Sequence, residues 1–172
     1  MKRPIKSISE GKICLSLLEE QDLETTLKWR NQEEIRKWFF HSDILTYEQH
    51  LEWFRSYQKS DDDYVFMIKD LDDHGKPVGQ VAIYHIDREK RRAEFGRLMI
   101  GELSAQGKGF AYAATNLALK IAFDQLELRE IYLELLSHNK RAMSLYQQIG
   151  FKIQSYQSPI VKMHIIRETI VQ

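Results

Sequence analysis

The sequence predicts an α/β fold of the α+β kind, with a mixed, mostly antiparallel central sheet of about seven strands flanked by helices. Three observations carry this prediction. The chain has 172 residues, close to the roughly 100 to 200 residues of one domain. Short alternating stretches follow one another with stretches of helical period between them. No Ser/Gly-rich block, and no run of one charge longer than residues 61–63, divides the chain, so we expect a single domain over residues 1–172.

The first third of the chain is predicted to be mostly helical. Residues 12–17 alternate as a strand does, and residues 22–31 then carry apolar side chains at helical spacing. A second helix is expected over residues 33–40. Thr46 and Gln49 have the Thr-x-x-Gln spacing of a capping box, which predicts that a third helix begins there.

Strands dominate the rest. Residues 64–69 and 78–87 flank a turn and predict a hairpin, and residues 91–100 predict a third antiparallel strand. The later elements are a helix over 107–126, a strand over 130–137, a helix over 139–149 with Gly150 at its end, and two closing strands over 151–157 and 160–169.

Composition excludes several classes of protein. Lys and Arg together number 25, as do Asp and Glu, so there is no global basic field of the kind expected for binding nucleic acid or an anionic membrane. The single cysteine, Cys14, excludes an intramolecular disulfide and a thiolate metal cluster. No apolar run approaches the ~20 residues of a membrane span. We therefore expect a cytoplasmic protein without metal, nucleic acid or membrane partners.

A glycine turn is the most informative segment. Gly107 and Gly109 fall between a predicted strand and a predicted helix, where backbone N–H groups at the positive helix end can bind an anion such as phosphate. Lys108 does not stand in the Gly-x-x-x-x-Gly-Lys-[Ser/Thr] pattern of a P-loop, and Tyr112 breaks the Gly-x-Gly-x-x-Gly dinucleotide pattern. An ordinary glycine turn is the alternative.

Read with its flanks, this turn resembles the GNAT superfamily of acetyl-CoA-dependent N-acetyltransferases over about residues 12–169. The likeness rests on Gln-x-x-Gly-x-Ala at 106–111, on Ala-Glu-Phe-Gly at 93–96, and on Asn-x-x-Ala-x-x-Leu-Tyr-x-x-x-Gly-Phe at 139–151. The resemblance implies acetyl-CoA as co-substrate, with its pyrophosphate in the turn. It also implies that the fourth and fifth strands splay apart to admit the pantetheine arm, over residues 97–100 of the fourth strand and 131–136 of the fifth. The implied cofactor-binding residues are Leu98, Met99, Ile100, Gln106, Gly107, Lys108, Gly109, Phe110, Ala111, Asn139 and Tyr146.

Two of these residues have a structural alternative. Asn139 is a good helix cap in its own right, and the resemblance adds a hydrogen bond to pantetheine. Tyr146 has the periodicity of a core residue, while the resemblance implies that its hydroxyl protonates the departing CoA thiolate. A phenol with a pKa of about 10 remains protonated at neutral pH and can do so.

The general base is predicted to be Glu94. A base is needed because the amine must attack in its neutral form. By strand alternation Glu94 shares a face with Gly96 and Leu98, which aims it at the substrate end. The alternative is a surface glutamate paired with a neighbouring arginine at position 91 or 92, and His85 and His50 are reserve candidates.

The acceptor is inferred from the helical first third. Its stretches KWRN at 28–31, IRKWF at 35–39 and YEQHLEWF at 47–54 resemble the aminosugar N-acetyltransferases of the pseudaminic acid pathway. That resemblance implies a nucleotide-linked 4-amino sugar as the small-molecule acceptor, bound by Arg30, Asn31, Trp38 and His50. Aromatic walls with Arg, Asn and His side chains suit such a ligand, although simple helix packing also explains some of the aromatics.

Other functions remain open at this point. A Rim-like protein N-terminal acetyltransferase or a polyamine acetyltransferase keeps the enzyme class. A polyamine acceptor would need clustered carboxylates, and the negative charge of the glutamates in the helical region is offset by nearby arginines and lysines. A further alternative belongs to a different functional class: a CoA-binding module that catalyses no reaction. Tyr146 argues against it, because such a module needs no proton donor at the sulfur. The sequence leaves a homodimer open.

Overall fold

The computed structural model describes residues 2–168 and contains thirteen regular strands and α-helices in that range. In chain order they are β1 (Ile8–Glu10), β2 (Ile13–Leu17), α1 (Leu23–Arg30), α2 (Glu33–Arg36), α3 (Tyr47–Lys59), β3 (Tyr64–Asp70), β4 (Lys76–Asp87), β5 (Arg92–Ile100), α4 (Phe110–Lys120), β6 (Glu130–Leu136), α5 (Lys140–Ile149), β7 (Lys152–Gln157) and β8 (Ile160–Ile166). The strands form one sheet in the order β1-β2-β3-β4-β5-β6-β8-β7. Every neighbouring pair is antiparallel except β5 and β6. The predicted fold class is confirmed.

Three elements differ from the prediction. The sheet gains β1, whose three residues are too few to show alternation in the sequence. The second helix ends at Arg36 instead of residue 40, because only Ile35 of α2 is buried and the chain continues in i to i+3 turns. The closing strand ends at Ile166, and the predicted end at Thr169 lies outside the described residues.

The two faces of the sheet carry separate hydrophobic clusters. One face packs on α4 and α5, and the other packs on α1 and α3. The α4/α5 face includes Phe66, Ile83, Phe95, Ile131 and Leu133; the α1/α3 face includes Val65, Met67, Ala82 and Met99. Because side chains alternate along a strand, each face is filled by every second residue.

Helix caps fix the ends of α3 and α5. Thr46 Oγ1 accepts from Gln49 N at 3.2 Å and Gln49 Oε1 accepts from Thr46 N at 2.9 Å, which confirms the capping box. Gly150 ends α5 with a φ of +122°, a conformation that glycine adopts readily. No helix within residues 2–168 is long and apolar enough to cross a membrane.

A gap opens between β5 and β6. These strands pair in parallel only at Arg92↔Glu130, Ala93↔Ile131 and Glu94↔Tyr132, and pairing stops there. The cause is a bulge in β5 at Arg97, where φ is +52° and the register with β4 shifts. An extra residue bends a strand, so the rest of β5 leans away from β6. The predicted splay is therefore present.

Candidate active site

The glycine turn, residues 106–111, presents free backbone amides. Gly107 and Gly109 have φ values of +75° and +84°, and a Cβ on either would meet no atom within 4 Å, so their outer side is open. The first hydrogen bond of α4 runs from Ala113 N to the Gly109 carbonyl at 3.1 Å. The amides ahead of Ala113 therefore have no partner inside the helix and can bind an anion.

Side chains contribute less to this turn than the sequence predicts. Gln106 Nε2 donates to the Ile100 carbonyl at 3.2 Å and so ties the turn to the end of β5. Phe110 is 2% exposed and packs in the core under α4, so only its backbone faces the turn. Met99 is likewise buried in the α1/α3 cluster. Lys108 is exposed, and Ala111 is partly buried.

Tyr146 lies on the α4/α5 side of the gap. Its ring makes edge contacts with Phe95 and Phe151, each at 5.7 Å between centroids. No group in residues 2–168 hydrogen-bonds its hydroxyl, and burial raises the pKa of this phenol above its ordinary value. Tyr146 is therefore protonated at neutral pH, as a proton donor must be.

Asn139 caps α5, which is the first of the two roles predicted for it; the second is a hydrogen bond to pantetheine. Its Oδ1 accepts from Ala142 N at 3.2 Å, which leaves the side-chain amide nitrogen to meet a ligand. The preceding residue, His138, contacts Trp38 with ring centroids 5.4 Å apart. The chain after α2 therefore reaches across to the end of β6, beside the gap.

Glu94 lies on the opposite, α1/α3 side of the sheet. Tyr84 Oη donates to Glu94 Oε2 at 2.9 Å, and His85 Nδ1 lies 3.1 Å from Oε1. Gly96 makes room for this arrangement, because a Cβ there would lie 2.6 Å from the Tyr84 hydroxyl. The predicted partnership of Glu94 with Leu98 on one face is wrong, since the bulge turns Leu98 toward the α4/α5 cluster.

The arginines next to Glu94 have other partners. Arg91 Nε donates to the Glu127 carbonyl at 2.8 Å, and the Arg92 guanidinium lies 4.6 Å over the Tyr132 ring. The alternative in which Glu94 pairs with one of them is therefore not observed. Its carboxylate oxygens instead face the Tyr84 hydroxyl and the His85 ring.

The bulge residue Arg97 was not singled out from the sequence. Its guanidinium lies 4.1 Å over the Tyr84 ring and pairs with Asp63 at 2.8 Å. Burial, followed by the neighbouring Glu94 carboxylate, raises the pKa of Tyr84, so this phenol stays a hydrogen-bond donor to Glu94. No local sequence pattern marks a bulge at a residue other than glycine, so this support of the carboxylate was not visible in the sequence.

Two of the predicted acceptor residues hold the neighbouring loop. Asn31 Nδ2 donates to the Leu45 carbonyl at 2.8 Å, and Asn31 Oδ1 accepts from Leu45 N at 2.9 Å. His50 lies 2.9 Å from Thr26 Oγ1 and stacks on Trp53. Both side chains thus connect α1 to the segment after α2 or to α3.

Arg30 and Arg36 form a cationic pair that the sequence indicated only in part. Arg30 donates to the His41 carbonyl, and Arg36 Nη1 donates to the next carbonyl, that of Ser42, at 3.3 Å. Arg30 Nη1 and Arg36 Nε are buried without a hydrogen-bond partner among the described residues. Burial and then the charge of Arg36 lower the pKa of Arg30. Two neighbouring guanidinium charges are suited to an oxyanion.

The glycine turn and the gap occur in a fold shared with known acetyltransferases. A solved structure of Vibrio cholerae spermidine N-acetyltransferase in complex with CoA and spermine superposes with a TM-score of 0.82 and 25% identity, over 90% of this chain and 95% of that chain. Within residues 2–168, no group of three His, Cys, Asp or Glu side chains is placed to hold a metal ion.

The chain belongs to the GNAT acetyltransferases, because residues 12–152 match the family model described as Acetyltransferase (GNAT) domain. It is 29% identical over 141 residues to the spermidine N(1)-acetyltransferase of Vibrio cholerae, covering 82% of this chain and 79% of the relative. It is 27% identical over 137 residues to acetyltransferase PseH of Campylobacter jejuni, covering 79% of this chain and 80% of the relative. The predicted superfamily and enzyme class are confirmed.

Proposed function

We propose that this N-acetyltransferase moves the acetyl group of acetyl-CoA to the primary amine of a nucleotide-linked amino sugar by direct attack. The turn amides at residues 107–111 suit the CoA pyrophosphate. The unpaired edges of β5 and β6 suit the amide-rich pantetheine arm, which can bind as an inserted strand would. A homodimer, a cytoplasmic location and the absence of nucleic-acid and membrane partners stay predictions.

The proposed chemistry uses one proton-transfer group on each side of the gap. The amine attacks the thioester carbon from the α1/α3 side, the N–C bond forms, and Glu94 takes the amine proton. The oxyanion formed by the attack then collapses, the C–S bond breaks, and Tyr146 on the α4/α5 side gives its proton to the thiolate. Tyr146 regains a proton from water before the next turnover. Separating the base from the acid across the gap keeps Tyr146 from protonating the attacking amine.

The Arg30 and Arg36 pair is the observation that carries the acceptor assignment. Each guanidinium has one buried nitrogen without a partner among residues 2–168, and the two charges repel one another. A phosphate or diphosphate bound beside the two guanidiniums would offset their repulsion, whereas a polycation would add to it. In this proposal Trp38 forms a wall of the acceptor pocket, and Asn31 and His50 hold its loop and helices.

Spermidine is the second candidate acceptor. The names of the Vibrio cholerae relative and of the superposed structure favour it. A polyamine site needs carboxylates that are free to pair with amines. In the helical region Glu34 pairs with Lys37 at 2.8 Å, while Glu33, Glu48 and Glu52 are exposed. These three glutamates are the groups that a polyamine would use.

An amine panel separates the two candidates. Purified protein is supplied with acetyl-CoA and, in turn, a UDP-linked 4-amino-4,6-dideoxy sugar, spermidine or an N-terminal peptide, and free CoA is measured. We expect turnover with the sugar, and Arg36→Gln raises its KM while CoA affinity is unchanged, which is the pattern for lost uniform binding. Arg129→Gln, at an exposed arginine immediately before β6, is the matched control. Turnover with spermidine alone, or an unchanged sugar KM in Arg36→Gln, contradicts the assignment.

A further inference from the structure

Tyr84 and His85 are consecutive residues of β4, and both contact the Glu94 carboxylate. In a regular strand, neighbours point to opposite faces of the sheet. Here His85 has a φ of +50°, and the β4–β5 register shifts between Tyr84 and Asp87. Ile83 and Ile86 consequently both reach the α4/α5 cluster, three positions apart instead of two. The bulge thus places His85 on the side of Glu94.

The conformation of His85 is uncommon for a residue with a side chain. Positive φ outside glycine is retained where the surrounding structure holds it, often at functional sites. A second bulge at Arg97 on β5 lies close to it, and Arg97 supports Tyr84 from the other side. The two bulges together therefore hold Tyr84 and His85 around one carboxylate.

The His85 side chain is more exposed to solvent than the Glu94 side chain. The Glu94 side chain is 16% exposed, whereas that of His85 is 66% exposed. Because Nδ1 faces Glu94, the ring presents Nε2 to solvent. The other charged or titratable groups around this pair are Tyr84, Arg97, Asp63, Tyr132 and Arg92. Among the residues that contact Glu94 directly, only an imidazole can take up and release a proton at neutral pH.

The reaction requires a group that can pass a proton from Glu94 to water. An acceptor that arrives as an ammonium loses two protons from nitrogen, one before attack and one after it. One proton reappears on the CoA thiol, so one is released per turnover. A carboxylate that is largely shielded from water must pass this proton on before it can act again.

We propose that His85 is a positioning and proton-relay residue that acts through Glu94. The carboxylate takes the proton from the amine, transfers it to His85 Nδ1, and Nε2 releases a proton to water, which returns Glu94 to its basic form. This inference rests on the proposed role of Glu94 as base. His85 itself touches neither acetyl-CoA nor the acceptor in this scheme.

The test compares variants of His85 at saturating concentrations of both substrates. His85→Ala is expected to lower kcat about tenfold, less than the ~10² or more expected for loss of the base itself, with KM and CoA affinity unchanged. Added imidazole restores the rate of His85→Ala in proportion to its concentration and does not affect the wild-type protein. His85→Gln, which keeps a hydrogen bond to Glu94 but cannot relay a proton, remains slow.

His164→Ala is the matched control, because His164 forms a second His–Glu pair, 3.4 Å from Glu130, and is expected to keep the wild-type kcat. Full activity in His85→Gln, or the absence of imidazole rescue in His85→Ala, overturns the relay. Glu94→Gln tests the underlying assignment separately. If Glu94→Gln is slow while His85→Ala is fully active, only the relay fails; if Glu94→Gln is fully active, the proposed base fails as well.

Discussion

Replacing Tyr146 with phenylalanine removes one hydroxyl and leaves the packing of the ring unchanged. The edge contacts with Phe95 and Phe151 involve only the ring, and the hydroxyl has no hydrogen-bond partner within residues 2–168. We therefore expect the free energy of unfolding to change by less than about 1 kcal/mol. CoA affinity should also be kept. The effect is confined to the step in which the thiolate leaves.

The expected loss of rate follows from the proposed role of Tyr146 as proton donor. General acids contribute about 10² to 10⁴ in rate, which is about 2.7 to 5.4 kcal/mol of activation free energy. The assay is kcat at saturating acetyl-CoA, read by release of the CoA thiol, together with CoA affinity by calorimetry. Tyr146→Ala is the contrasting variant, because its cavity costs about 3–5 kcal/mol of stability. Wild-type turnover in Tyr146→Phe would refute the role of this hydroxyl.

Three further predictions concern the turn, the end of β5 and the helix contact. Gly109→Val is expected to abolish the rise in melting temperature that CoA causes, since φ is +84° there; an unchanged rise contradicts the phosphate site. Gly101→Ala is expected to cost about 1–3 kcal/mol in urea unfolding, because its Cβ would lie 2.0 Å from the buried Trp29 ring, and wild-type stability would show that the ring can move. Burial and then Arg30 lower the pKa of His50, so its contribution to stability is present above the unfolded pKa of about 6.5 and is lost as pH falls. Melting temperatures from about pH 7.5 to about pH 5 should fall less steeply in His50→Gln, and equal slopes would contradict this.

Long periodic segments were predictable from the sequence because many residues report the same period. The predicted helix over 107–126 is observed as α4 followed by a π-helical turn, Ile121–Gln125, and the β3–β4 hairpin lies within a few residues of its predicted bounds. Local chemistry located the ends of other elements. Thr46 begins α3, and Asn139 and Gly150 flank α5, because these residue types satisfy the free backbone groups of helix ends.

The carboxylate site was predictable only in part. Glu94 is a candidate base from its position on the strand, but its partners depend on two bulges at residues other than glycine, His85 and Arg97. Such residues carry no compositional mark of positive φ. The acceptor side shows the same limit, since Asn31 is engaged by Leu45 through a loop contact fourteen positions away in sequence.

The sheet is joined across β5 and β6 by only three register pairs, Arg92 to Glu94 against Glu130 to Tyr132. Five strands lie on one side of this seam, and β6, β8 and β7 lie on the other. Without a ligand, the seam is where amide hydrogen exchange through local opening is expected to be fastest within the sheet. A pantetheine arm bound along both edges would connect the two parts of the sheet. The amides of β5 and β6 would then become protected from hydrogen exchange together, and the two parts of the sheet would unfold as one unit.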